Sequence, residues 1–243
     1  MIRLILVIIF LLLFVISNII FAPIAWILGA FNKPARDQYT KWYVKSIFRG
    51  ILFLSGTRVT VSGIENIPAD SSVVYMCNHN SFFDVLITYV KIPYVFGFVS
   101  KKEVGKVPIL HMWMRYVNCL FLDRNNIREG LKTILTGIDM VKNGTSLFIF
   151  PEGTRSKDGH MIPFKEGAMK LATKSKAPVI PIAMRGTSDI FESHLPFIKG
   201  SKVTMVVGKP IYIDELSPED KKHSGAYVQG VIQNMLDEID KNT

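Results

Sequence analysis

Val73-Val74-Tyr75-Met76-Cys77-Asn78-His79-Asn80-Ser81-Phe82-Phe83-Asp84 is an apolar run that stops at a polar histidine and restarts as helix-like sequence. Val73 to Cys77 is rich in β-branched and aromatic residues and follows the turn-like Pro68-Ala69-Asp70-Ser71-Ser72, which predicts a short buried strand. Ser81 with Asp84 three residues later reads as the start of a helix. His79 then falls in the strand-to-helix turn, and Asp84 in the first helical turn, where its carboxylate can hold one imidazole nitrogen. A histidine oriented in this way keeps its other nitrogen free as a base. These residues alone leave two readings open: a catalytic pair, or a loop histidine beside a carboxylate that only caps the helix.

Working outward, the same alternation recurs. Thr57 to Ser62, Tyr94 to Ser100, Cys119 to Leu122, Ser146 to Phe150, Val179 to Met184 and Lys202 to Val207 read as strands. Phe82 to Val90, Ile109 to Val117, Arg128 to Lys142, Gly167 to Ser175 and Tyr227 to Ile239 read as helices, the third stopping at Asn143-Gly144. Continuous apolar strands alternating with helices predict an α/β domain with a mainly parallel sheet flanked by helices. In such sheets ligands bind beyond the carboxyl ends of the strands. His79, Lys101, Arg124, Glu152 with Arg155, and Arg185 each follow a different predicted strand. Several cations on one edge with a His/Asp pair predict a site for an anionic substrate that reacts through proton transfer; guanidinium forks match phosphate oxygens two at a time. Glu152 and Arg155 could instead brace each other, and Lys101 could be a solvated surface charge.

The 243-residue chain is long enough for one full-sized domain plus an appendage, and the division read here is 1–56 and 57–243. Its net charge of +9 suits an anionic partner, be it an acidic membrane surface, a phosphorylated substrate or nucleic acid. Nucleic acid is disfavoured, because the basic residues are dispersed around a site and an apolar anchor precedes them. Cys77 and Cys119 both fall in predicted buried strands, which excludes a disulfide framework, and the five histidines lack paired metal-ligand spacing. No metal is therefore expected.

From Leu4 to Phe31 there is no charged residue, and Leu4 to Ala22 is long enough to cross a bilayer. The run is too long for a signal-peptide core and lacks a small-x-small cleavage site. Pro23 leaves open a full crossing or a re-entrant pair. Over Arg36 to Leu54, Lys41, Lys45 and Arg49 recur every fourth residue, opposite Trp42, Ile47, Phe48, Ile51 and Leu52. This predicts a basic amphipathic helix in the headgroup layer, with an ordinary surface helix as the alternative. The cations after the apolar run outnumber the single Arg3 before it, which favours a domain on the cytoplasmic face of the cell membrane.

Asn78 to Asp84 resembles the His, four residues, Asp motif of the glycerolipid acyltransferases. Phe150-Pro151-Glu152-Gly153-Thr154-Arg155-Ser156 is similar to the corresponding block of their 1-acylglycerol-3-phosphate branch. Cys119 to Arg124, Phe164-Lys165-Glu166-Gly167 and Val179-Ile180-Pro181-Ile182 resemble further blocks in the same order, so the likeness runs from Gly63 to Pro210. The resemblance implies the fold of those enzymes, with an amino-terminal membrane-associating segment. It implies transfer of a fatty acyl group from acyl-carrier protein or coenzyme A, as co-substrate and with no cofactor, to the sn-2 hydroxyl of lysophosphatidate. It further implies His79 as general base and Asp84 as its orienting partner, with Arg155 and Arg124 on the acceptor phosphate, and Glu152, Gly153 and Thr154 around the glycerol. Lys101 and Lys165 are additional cations. Remodelling of other lysophospholipids and lipid binding without turnover are the competing functions.

Overall fold

The computed structural model describes residues 1–156 and 158–242. Its centre is a seven-stranded sheet built from β1 (Arg58–Ser62), β2 (Val74–Cys77), β3 (Phe96–Lys101), β4 (Leu120–Leu122), β5 (Ser146–Ile149), β6 (Val179–Arg185) and β7 (Lys202–Val207), in the order β1-β7-β6-β2-β5-β3-β4. The five strands from β6 to β4 are mutually parallel. β7 runs antiparallel to β6, and β1 pairs parallel with β7, so these last two strands point the other way.

The helices are α1 (Ile2–Phe31), α2 (Lys33–Ser55), α3 (Phe83–Lys91), α4 (Pro108–Tyr116), α5 (Ile127–Lys142), α6 (Glu166–Ser175), α7 (Pro218–Lys222) and α8 (Ser224–Lys241). Two apolar layers enclose the sheet because successive strand residues point to opposite faces. Tyr75, Cys77, Phe148, Ile180 and Ile182 pack toward the side of α1 to α4. Val74, Met76, Leu147, Ile149 and Val179 pack toward α5, α6 and α8. Double-sided burial is why these strands read as unbroken apolar runs.

The amino-terminal segment forms two helices. Pro23 does not divide the apolar run, since α1 is one 30-residue helix, about 45 Å long at 1.5 Å per residue. α2 packs on the domain, as the surface-helix alternative has it. It is held between α1 and the domain: Tyr43 stacks on Phe21 of α1 at 4.5 Å and meets the Trp113 ring of α4 at 4.4 Å, tilted by 35°. Its lysine stripe faces the domain, where Lys41 donates to the carbonyl of Pro93. Burial, then the charge of Lys45, pushes the Lys41 ammonium down to about 8. Asn32 turns the chain between the helices and caps α2 by accepting from Ala35 N at 3.0 Å.

α1 follows α2 along its length. Phe10 closes on Gly50, Phe14 and Phe21 meet Tyr43, and Gly29 receives the Arg36 side chain. Ser17 Oγ and Tyr43 OH lie 2.6 Å apart, and Trp113 Nε1 donates to Asn18 Oδ1. Both polar residues of the apolar run are thus used at the docked face. The opposite faces, with Leu12, Ile16, Ile19, Ile20, Trp26 and Phe31, are exposed, and this helix is long and apolar enough to cross a membrane.

Candidate active site

β2 ends beside β6, and Asn78 fixes that end: its Nδ2 donates to Met184 O, and its Oδ1 accepts from Met184 N, both at 2.9 Å. The chain leaves the sheet at His79. Asp84, fully buried in the first turn of α3, accepts on Oδ2 from Asn80 N at 2.7 Å, from Ser81 N at 2.8 Å, and from His79 Nδ1 at 2.9 Å. Ser81 Oγ in turn accepts from Phe83 N at 3.0 Å, so the serine and the aspartate cap the helix reciprocally. One carboxylate thus makes the cap and orients the imidazole at once; the two readings of the sequence are compatible. Ionised Asp84 can only accept, so Nδ1 carries the proton and Nε2 keeps its lone pair. The ring stacks on Phe150 at 3.9 Å, and the side chain remains 17% exposed.

The loop after β5 is tied to this turn by Glu152. Its fully buried carboxylate accepts from His79 N at 2.7 Å and Ile162 N at 2.8 Å, and Ser156 N donates to His79 O at 2.8 Å. Glu152 and Arg155 do not brace each other. Burial is the main cause that raises the Glu152 carboxyl above its ordinary value, opposed by the two amide donors. Glu152→Gln keeps the shape but sets an NH2 group against one of those amides. It should destabilise the protein by about 1–3 kcal/mol, seen as a lower denaturation midpoint, with activity falling in parallel. An unchanged midpoint would show that the loop does not depend on this carboxylate.

The expected cations divide into three groups. Arg155 Nη1 donates to Glu192 Oε1 at 2.9 Å, and its guanidinium lies over the Phe82 ring at 3.8 Å, beside the His79 turn. Arg124 donates to the carbonyl of Gly153, and Lys165 lies across the same glycine, where a Cβ would come within 2.9 Å of its side chain. Gly153 also has φ +76°, so an L side chain there meets both strain and a clash. Arg124, Gly153 and Lys165 line a cavity of about 270 Å³ whose apolar wall includes Val99, Leu122, Leu131, Ile134 and Phe150. Because Phe150 also stacks on His79, the cavity and the imidazole share a wall. Thr154 is exposed. Lys101 pairs instead with Glu103 at 3.5 Å, and Arg185 is committed to Asp240 of α8 at 2.7 and 2.9 Å. Arg185 therefore leaves the set of edge cations read from sequence.

Glu192, 37 residues beyond Arg155, carries no motif around it and escapes sequence reading; only the folded chain brings the two together. Neither cysteine has the setting of a nucleophile. Burial pushes the Cys77 thiol well up, with Asp84 and Glu152 adding to it, and Cys119 is pushed up to about 12.

Comparison with known proteins bears on this arrangement. The Acyltransferase family profile matches residues 58–185, which contain the His79 turn, Arg124 and the loop after β5. The chain is 31% identical to the 1-acyl-sn-glycerol-3-phosphate acyltransferase of Bacillus subtilis over 78% of its own length and 92% of that protein's. It is 29% identical to that of Borreliella burgdorferi over 77% and 75% of the two chains. With the chloroplastic enzyme BAT2 of Brassica napus it shares 33% identity over 72% of its length, and it spans about half, 52%, of that longer chain. The crystal structure of the 1-acyl-sn-glycerophosphate (LPA) acyltransferase PlsC from Thermotoga maritima superposes with a TM-score of 0.82 at 24% identity. That match covers 98% of this chain and 96% of the other, and so shows the same fold with the helical hairpin included. A profile match over more than half the residues and a nearly full-length bacterial relative lead to one conclusion: the chain belongs to the 1-acyl-sn-glycerol-3-phosphate acyltransferase family.

Proposed function

We propose that the protein transfers a fatty acyl group from an acyl thioester, on acyl-carrier protein or coenzyme A, to the sn-2 hydroxyl of lysophosphatidate. The observation that carries this reading is an imidazole with a free Nε2, backed by a buried carboxylate, in a turn whose Phe82 supports Arg155, and sharing the Phe150 wall with the cavity of Arg124 and Lys165. Nε2 takes the hydroxyl proton as the oxygen attacks the thioester carbonyl. The tetrahedral intermediate collapses with loss of the thiolate, and the imidazolium returns the proton to that sulfur. Asp84 stabilises the imidazolium formed between these steps. With both thiols buried and pushed up, the transfer is direct, without an acyl-enzyme.

Arg155, with Arg124 and Lys165, is assigned to the acceptor phosphate, and the apolar cavity wall to an acyl chain. Arg155→Ala should raise the lysophosphatidate requirement about 10- to 100-fold, the size expected for one lost charge-assisted hydrogen-bond site, and leave the thioester requirement unchanged. Steady-state kinetics with each substrate varied in turn, and mass spectrometry of products from mixed lysolipids, check this. An unchanged acceptor dependence removes Arg155 from the phosphate.

The packing of α1 also supports a mode of membrane association. α2 carries Lys33, Arg36, Asp37, Lys41, Lys45 and Arg49, packs on α3 and α4, and accompanies α1 throughout. A hairpin with such a second arm cannot be threaded through hydrocarbon. α1 is therefore assigned to one leaflet, lying along the surface with its exposed faces in lipid, and the domain to the cytoplasmic side.

A further inference from the structure

Glu192 opens a short 3-10 turn, Glu192–His194, in the segment after β6. Its carboxylate reaches three groups that the sequence keeps far away. Oε2 accepts from Ser81 Oγ at 2.7 Å; Oε1 accepts from Phe82 N at 2.8 Å and from Arg155 Nη1 at 2.9 Å. Ser81 is itself fixed through its amide by Asp84, the carboxylate that holds His79. An unbroken chain of hydrogen bonds therefore runs from the imidazole through Asp84, Ser81 and Glu192 to the guanidinium, while the Phe82 ring supports the flat face of Arg155. A long side chain anchored on an edge and a face has little rotamer freedom left to lose when it meets a ligand. Among the described residues only Nη1 is engaged, with Glu192, so the rest of the guanidinium fork is open to oxygens of a phosphate.

We propose that Glu192 is a positioning residue: it sets Arg155 at a fixed separation from His79, so that phosphate and hydroxyl of one acceptor molecule meet the guanidinium and the imidazole together. This rests on the assignment of Arg155 to the acceptor phosphate. Glu192 itself carries the wrong charge to touch that phosphate, and it reaches the acceptor only through the arginine.

The test is a double-mutant cycle on the purified full chain, with lysophosphatidate and the thioester varied separately. Glu192→Ala should raise the acceptor KM about 10-fold, leave the donor KM unchanged, and add nothing once Arg155→Ala is present. Glu192→Gln, which keeps the acceptor oxygen without the charge, should recover part of the loss and serves as the primary variant should the alanine protein fold poorly. A role limited to holding the fold would instead lower the melting temperature and depress turnover with both substrates equally, and overturns the proposal. So does an acceptor KM that responds to Arg155→Ala but not to either Glu192 variant, or effects of the two alanine substitutions that multiply. An acceptor KM that ignores Arg155→Ala overturns the phosphate assignment, and the positioning role falls with it.

Discussion

His79→Ala is expected to lower the rate of acyl transfer by about 10²- to 10⁴-fold, the usual contribution of a positioned general base, while lysophosphatidate still binds. The expectation follows from how little else in the site can take a proton. Asp84 holds three donors on Oδ2 and its Oδ1 is sealed inside the protein, Glu152 is buried and spent on two amides, and Glu192 is engaged by Ser81, Phe82 and Arg155. Alanine removes the Nε2 lone pair and leaves this surrounding network standing, so binding of the phosphate survives. Initial rates on purified protein, with acceptor binding measured separately, provide the check; undiminished turnover would end the role of His79. Asp84→Asn should also lower the rate, because an amide oxygen in the place of Oδ2 can keep the three donors but carries no charge to stabilise the imidazolium.

The second large effect concerns the anchor. With the buried Cys77 and Cys119 out of reach, single cysteines placed at Arg3 and Lys33, exposed polar positions that flank the apolar run of α1, report its course. In sealed vesicles, a membrane-impermeant maleimide added to the domain side should label both positions, and added to the opposite side neither. Labelling of one end from each side would show that α1 spans. Removing residues 1–31 should release the protein from vesicles, since each large apolar side chain withdrawn from lipid forfeits about 1.5–3 kcal/mol and α1 exposes many of them.

Much of this architecture is legible in the amino-acid order, for reasons that differ by element. β2 and β5 announce themselves because both of their faces are covered, leaving no polar residue in Val74–Cys77 and only Ser146 in Ser146–Ile149. The reversed direction of β7 is silent, since Lys202–Val207 alternates as a half-buried strand of either polarity would. A lysine every fourth residue marks one side of α2 equally well whether that side meets water, lipid phosphate or the carbonyl of Pro93. His79 and Asp84 were readable because both partners lie within a single turn. Glu192 was not: it lies 111 positions from Ser81, and only the chain folded through β6 makes them neighbours.

With α1 laid along one leaflet as proposed, the protein would meet its acceptor as a solute of a surface. Adding inert phospholipid to a fixed amount of enzyme and lysophosphatidate should then slow turnover, whereas adding buffer should hardly matter. Supply would be set by crowding in two dimensions, and what counts as concentration for this hairpin-bearing fold would be molecules per patch of bilayer.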